Sequence, residues 1–302
     1  MSTLLLGKSQ VKDLLQMSAV IEAVENAFGD LANGQAAMPA ALPGAVGVKW
    51  VSVYTQNLSY GLPTVIGTLI YNDPETGYPL AIMDATELTA FRTGATAAIA
   101  SKYLARKDSH TLGLIGAGRQ SYTQILAHAE LYDITLVKVF DVNAAATERL
   151  IKSFPQYPVQ AVTVEEAAAS DIVCTVTPAR EPVLKREHVL PGTHINAVGA
   201  DAEGKEELEP SILKEAMVIV DDIRQASLAG EINVPISKGL YRPEEVYATL
   251  GDIIIAKKPG RKDNKAITIF DATGVAIEDI AVARLLYEQA KKKGGYQTVE
   301  LV

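Results

Sequence analysis

The chain has 302 residues, 48% hydrophobic and 21% charged, enough for two domains or one large α/β unit. Its formal net charge of −8 argues against nucleic acid and anionic lipid as partners, since both need a basic face. No apolar run reaches the roughly 20 residues of a membrane helix; the opening MSTLLLGKSQ has no basic leader, and the lone Cys174 excludes an intrachain disulfide, so a cytoplasmic location is expected.

Residues 18–33, SAVIEAVENAFGDLAN, predict an amphipathic helix. Val20, Ile21, Val24, Phe28 and Leu31 recur at helical spacing, with Ser18 as N-cap and Gly34 as stop. A loop rich in proline and glycine follows. KWVSVYTQN, TVIGTLIYND and YPLAIMDA then read as strands separated by turns, forming a small antiparallel sheet. ELTAFRTGATAAIASKYLAR reads as a helix packed with small residues.

From residue 110 the pattern alternates strand and helix. TLGLIGAG, LVKVFDV, VQAV, DIVCTVT, HINAVGA, AMVIVDD and AITIFDATG are short, nearly continuous apolar runs. Such runs suit strands covered on both faces, as in a parallel sheet. Between them, Asn143 is the expected N-cap of one helix, and Thr163 with Glu166 has capping-box spacing. A last helix, IEDIAVARLLYEQAKKK, is expected to pack back on the N-terminal part, its lysines forming a solvated end. The expected architecture is a Rossmann-type doubly wound parallel sheet, residues 109–275, inserted in a smaller α+β domain of residues 1–108 and 276–302.

LGLIGAGRQS, residues 112–121, sets Gly116 and Gly118 between a predicted strand and a predicted helix, as a dinucleotide-binding turn requires. Gly116 permits the tight turn; Gly118 lets the backbone approach a pyrophosphate. With Ala117, Arg119 and Gln120 they form a loop whose free N–H groups and helix dipole attract the anion. Ser121 stands where a third glycine is usual and is small enough to keep helix and strand in contact. The glycines alone fit an ordinary βα turn as well. Asp141, closing the next strand, adds the acid that binds ribose hydroxyls and repels a 2′-phosphate, so NAD is expected over NADP.

Several motifs carry a wider resemblance: GVKWV, GLPTVIGTLIYNDPETGYPLAIMDATELT, RTGATAAIASKYLAR, IGAGRQSY, THINAVGADAEGKEELE, GEINVPISKG and ITIFDATGVAIEDIAVA. In this order they cover nearly the whole chain, which resembles the ornithine cyclodeaminase/μ-crystallin family, closest to its archaeal alanine dehydrogenase branch. The resemblance implies a homodimer, a nicotinamide cofactor and small amino- or imino-acid substrates.

By itself Lys49 is a strand lysine, a type that is usually exposed. The resemblance places an active-site lysine there, and a desolvated ammonium can lose its proton near neutrality or polarise an imine or carbonyl. Arg92 fits either a structural salt bridge or a fork for a substrate carboxylate. The resemblance assigns it the fork, with Thr93 adding a hydroxyl. Asp201 follows a strand end, where open α/β sheets bind ligands, and matches the family's catalytic aspartate. Thr177, Pro178, Gly199 and Val275 match cofactor contacts, and Ala200 would add little bulk beside the nicotinamide.

His110, His128, His188 and His194 show no metal-ligand spacing; His194 reads as structural and no metal is expected. Family members usually carry a longer segment before GVK, with a further arginine and, in cyclodeaminases, a glutamate. Here GQAAMPAALPGAVGVK holds neither, which weakens cyclodeaminase most. The leading expectation is NAD-dependent oxidative deamination of a small L-amino acid, alanine first. The alternatives are a cyclodeaminase, a ketimine or pyrroline-2-carboxylate reductase, and an NAD-binding protein without turnover.

Overall fold

The computed structural model describes residues 3–32, 41–53, 55–62 and 65–300. The chain divides into two compact units, Met1–Arg92 with Val275–Val302, and Thr93–Gly274. The first division falls inside the helix Thr86–Leu104, whereas the change of sequence pattern places it after that helix. No proline interrupts ELTAFRTGATAAIASKYL, so the helix continues through the division. Gly94 is needed for close packing: a Cβ there would lie 2.6 Å from the carbonyl oxygen of Thr123.

The first unit holds strands β1 (Thr3–Leu6), β2 (Ala41–Leu42), β3 (Ala45–Val53), β4 (Val65–Asn72) and β5 (Pro79–Asp84). The second holds β6 (Thr111–Ile115), β7 (Leu136–Phe140), β8 (Val159–Ala161), β9 (Ile172–Thr175), β10 (His194–Ala197), β11 (Met217–Val220), β12 (Ala248–Thr249) and β13 (Thr268–Asp271). The chain then returns to the first unit for β14 (Gln297–Val299).

Among the described residues, the first sheet runs β14-β1-β5-β4-β3-β2. β3, β4 and β5 pair antiparallel, as their alternation predicts, while β1 joins β5 in parallel. The expected strand KWVSVYTQN stops at Val53, and Thr55–Tyr60 is a 3-10 helix. There the Ser59 hydroxyl donates to the Gln56 carbonyl at 2.7 Å, one of the local bonds that compete with a ladder. The helix predicted from Ser18 starts at Met17, so Ser18 lies inside it and not at the N-cap position. Gly34 and residues 35–40 lie outside the described residues.

Two helices, Met17–Ala32 and Ala276–Lys293, pack on one another, and the second covers β3 and β4. Leu69, Tyr71, Ala81 and Met83 of the sheet are buried, as are Val20, Val24, Phe28, Ile277 and Ile280 of the helices. The alternate residues of β3 and β4 are not. Val48 pairs with Ile70 and Ser52 with Ile66; Trp50 is 76% exposed, and Val48, Ile66 and Ile70 are exposed beside it.

In the second unit every strand pair is parallel, in the order β12-β11-β13-β10-β9-β6-β7-β8. From β6 the chain winds one way to β7 and β8, then crosses to β9 and winds the other way. That is a topological switch point, where open α/β sheets place ligands. Local signals hold here. Asn143 accepts from the Ala146 amide at 3.3 Å, and Thr163 and Glu166 close a reciprocal capping box.

A buried polar chain crosses this unit. His128 Nε2 pairs with the Ser101 hydroxyl at 2.9 Å, and Asn196 Nδ2 donates to the same hydroxyl at 2.9 Å. His194 Nε2 pairs with Asn196 Oδ1 at 3.2 Å and its Nδ1 with Thr268 Oγ1 at 2.9 Å. Burial pushes His128 down to about 4 and His194 down to about 3, so both rings are neutral and structural. Among the described residues, no helix is long and apolar enough to cross a membrane.

Candidate active site

The turn after β6 brings Gly116, Ala117, Gly118 and Ser121 together. Gly116 has φ +108°, a conformation that L side chains avoid. Ser121 is fully buried, and its hydroxyl donates to the Gly116 carbonyl at 2.7 Å. The residue in the third-glycine position thus ties the helix back to the turn. Asp141 Oδ2 accepts from the Ala117 amide at 2.6 Å and Oδ1 from the Asn143 amide at 2.7 Å. The acid and the loop thus meet at the ends of β6 and β7.

Gly118 is the informative glycine. Its φ of −78° suits any residue, and a Cβ there would meet nothing within 4 Å. Neither backbone strain nor a neighbouring atom demands glycine. What a bare backbone offers is close approach from outside, over the exposed start of helix Arg119–Leu131. These residues therefore fit a pyrophosphate.

Beyond the switch point, the loops after β9 and β10 are held by one carboxylate. Glu207 Oε1 accepts from the Thr177 amide and hydroxyl, both at 2.7 Å. Its Oε2 accepts from the Thr175 hydroxyl at 2.6 Å and the Gly199 amide at 2.8 Å. Burial pushes Glu207 above the usual carboxylate range, while these four donors pull it back. Pro178 is exposed and Ala200 buried. Asp201 is half-exposed and ion-paired with Lys205, four residues on, a partner the sequence reading did not include.

Lys49 and Arg92 come together in the first unit through two acids that the sequence reading passed over. Lys49 Nζ lies 2.6 Å from Asp279 Oδ2 and donates to Thr89 Oγ1 at 3.4 Å. Arg92 Nη1 lies 2.8 Å from Glu278 Oε2, and its Nε 3.3 Å from Asp279 Oδ1. All four charged groups are largely buried. Burial first, then the Arg92 charge, pulls Lys49 below the ordinary lysine value; Asp279 and Glu278 oppose that. Thr93 is buried in the same helix. Val275 is buried at the entry to the last helix, its amide donating to Glu278 Oε1 at 3.1 Å. The available signal was the acid pair IED in an otherwise apolar helix start, since buried acids need partners.

A doubly wound parallel sheet, with a glycine turn at its switch point and an acid closing the next strand, defines a dinucleotide-binding unit of the Rossmann class. The family model described as ornithine cyclodeaminase/mu-crystallin matches residues 35–294. An alanine dehydrogenase from Archaeoglobus fulgidus is 46% identical, with 97% of each chain covered. A solved archaeal alanine dehydrogenase dimer with bound NAD superposes with a TM-score of 0.97 at 44% identity, covering 100% of both chains. A Δ1-pyrroline-2-carboxylate reductase from Thermococcus litoralis, solved with NADH and L-proline, gives 0.92 at 37% identity, covering 98% of this chain and 100% of that one. The chain belongs to the ornithine cyclodeaminase/mu-crystallin family.

Proposed function

We propose that this protein is an NAD-dependent dehydrogenase that converts a small L-amino acid, alanine first, reversibly to its 2-oxoacid and ammonia. The observation that carries this reading is the 46% identity to an alanine dehydrogenase over 97% of both chains. Bound NAD would supply the hydride acceptor. Gly116 to Ser121 would hold its pyrophosphate and Asp141 its ribose, with a carboxylate there excluding a 2′-phosphate. Lys49 and Arg92 would receive the substrate carboxylate, their donors aimed by Asp279 and Glu278. Thr93 would add a hydroxyl contact. Asp201 would act as the base that takes a proton from water as its oxygen adds to the imine carbon left by hydride transfer. Thr177, Pro178, Gly199 and Val275 would line the cofactor.

The active form in this reading is a homodimer in the cytoplasm. The apolar sheet face around Trp50 supports a second copy as its cover, and a relative at 44% identity is a solved dimer. Imine reduction is the second reading, favoured by the likeness to the T. litoralis reductase.

One panel tests both readings, with sedimentation of the same sample for the dimer. Alanine with NAD should accumulate NADH, and pyruvate with ammonia should consume it. Consumption of NADH by a cyclic imino acid alone would select the reductase. Ammonia release from ornithine without net NADH would select a cyclodeaminase. A sedimenting mass of one chain would remove the dimer.

A further inference from the structure

The second unit carries a ladder of buried acids along the carboxyl ends of its strands. The Glu207 carboxylate grips the amides of Thr177 and Gly199. The Glu207 and Leu208 amides are in turn held by the Glu231 carboxylate, at 3.0 and 2.6 Å. The Glu231 amide donates to Asp271 Oδ1 at 2.8 Å. Asp221, the residue after β11, whose Val220 pairs with Asp271, accepts from the Thr273 amide at 2.6 Å and the Gly274 amide at 2.7 Å. Glu207, Glu231 and Asp271 are fully buried.

The top rung lies where the topology sends the second half of a dinucleotide. Asp141 marks the β6–β7 side as the adenosine side, so the rest of the molecule must extend over the ends of β9 and β10. The loops there begin at Thr177 and Gly199. Gly199 is packed directly on the acid: a Cβ would lie 2.6 Å from Glu207 Oε1 and would also strike the Thr177 carbonyl.

We propose that Glu207 is a positioning residue that clamps the Thr177 and Gly199 loops into one floor for the nicotinamide half of the cofactor. The inference rests on the NAD reading above. Each Glu207 oxygen takes one main-chain N–H, and a main-chain N–H can only donate. A carboxyl group satisfies both. Glutamine cannot, because either orientation points its NH2 at one of those amides.

The test is calorimetric titration of the whole protein with NAD and with ADP-ribose, which lacks the nicotinamide. Glu207→Gln should raise the Kd for NAD about tenfold, the effect of a buried donor left facing a donor. ADP-ribose, held by the Gly116–Ser121 turn, should bind within about twofold of wild type. Equal weakening of both ligands would show general loosening of the unit and overturn the inference. Unchanged NAD binding would overturn it too. Wild type that binds neither ligand would overturn the NAD reading itself. If Glu207→Gln does not fold, Thr175→Val decides by the same comparison: it removes one hydroxyl donor, with about a threefold loss expected for NAD alone.

Discussion

Lys49 sits between opposed forces. Burial and Arg92 favour its neutral form; Asp279, 2.6 Å away, and Glu278 favour the ammonium. Asp279→Asn removes one of the upward contributions, so the Lys49 pKa falls further. An ammonium needed for carboxylate binding is then lost at lower pH. The basic limb of a kcat/KM–pH profile should move down in the variant, and an unmoved limb would separate Lys49 from substrate binding. Arg92→Ala leaves Glu278 buried without its guanidinium, which should lower unfolding stability by about 3–5 kcal/mol in denaturant titration. Lys49 and Arg92 were singled out through the family resemblance; by themselves one reads as an ordinary strand lysine and the other fits a salt bridge as well as a carboxylate fork. Their partners were not singled out: Glu278 lies 186 positions beyond Arg92, and only folding brings them together.

At the scale of the element, the turn after β6 contains two glycines with different reasons to exist. Gly116 is required by its φ of +108°, so Gly116→Ala should cost about 1–3 kcal/mol of stability. Gly118 has ordinary dihedrals and open space where a Cβ would go. Gly118→Ala should leave the thermal midpoint nearly unchanged and weaken NAD binding about tenfold or more, as a methyl group blocks close approach to the backbone. Equal affinity in that variant would mean the turn holds no pyrophosphate. Strands β6, β9 and β10 were legible because burial on both faces writes continuous apolar runs. Strands β1, β2 and β14 have four, two and three residues, too short to show a period of two. They exist because neighbouring strands supply their hydrogen bonds.

Across the whole molecule, buried groups of both signs set the dependence of stability on pH. His128 and His194 titrate in the native state at about 4 and about 3, below the ordinary 6.5. Under pH 6.5 the unfolded chain binds protons that the native core refuses, so these rings subtract stability as pH falls. Asp271 works the other way. Burial, with Asp221 and Glu207 nearby, pushes it up to about 8, and burial beside Glu207 pushes Glu231 well up. Above pH 4 the unfolded chain gives up a proton that native Asp271 keeps. Stability therefore declines as pH rises toward 8, by about 1.4 kcal/mol per pH unit for each retained proton. Melts between pH 4 and 9 should peak on the acid side of neutrality, and Asp271→Asn should flatten the alkaline decline. An alkaline limb that stays steep in that variant would clear Asp271 of the effect.

The native molecule at pH 7 is accordingly less negative than its formal −8, because Asp271, at the carboxyl end of the interior strand β13 and pushed up to about 8, keeps its proton. Unfolding must hand that proton to the surrounding buffer. The heat of denaturation measured in Tris and in phosphate will then differ by the protonation heats of the two buffers, scaled by the number of protons released.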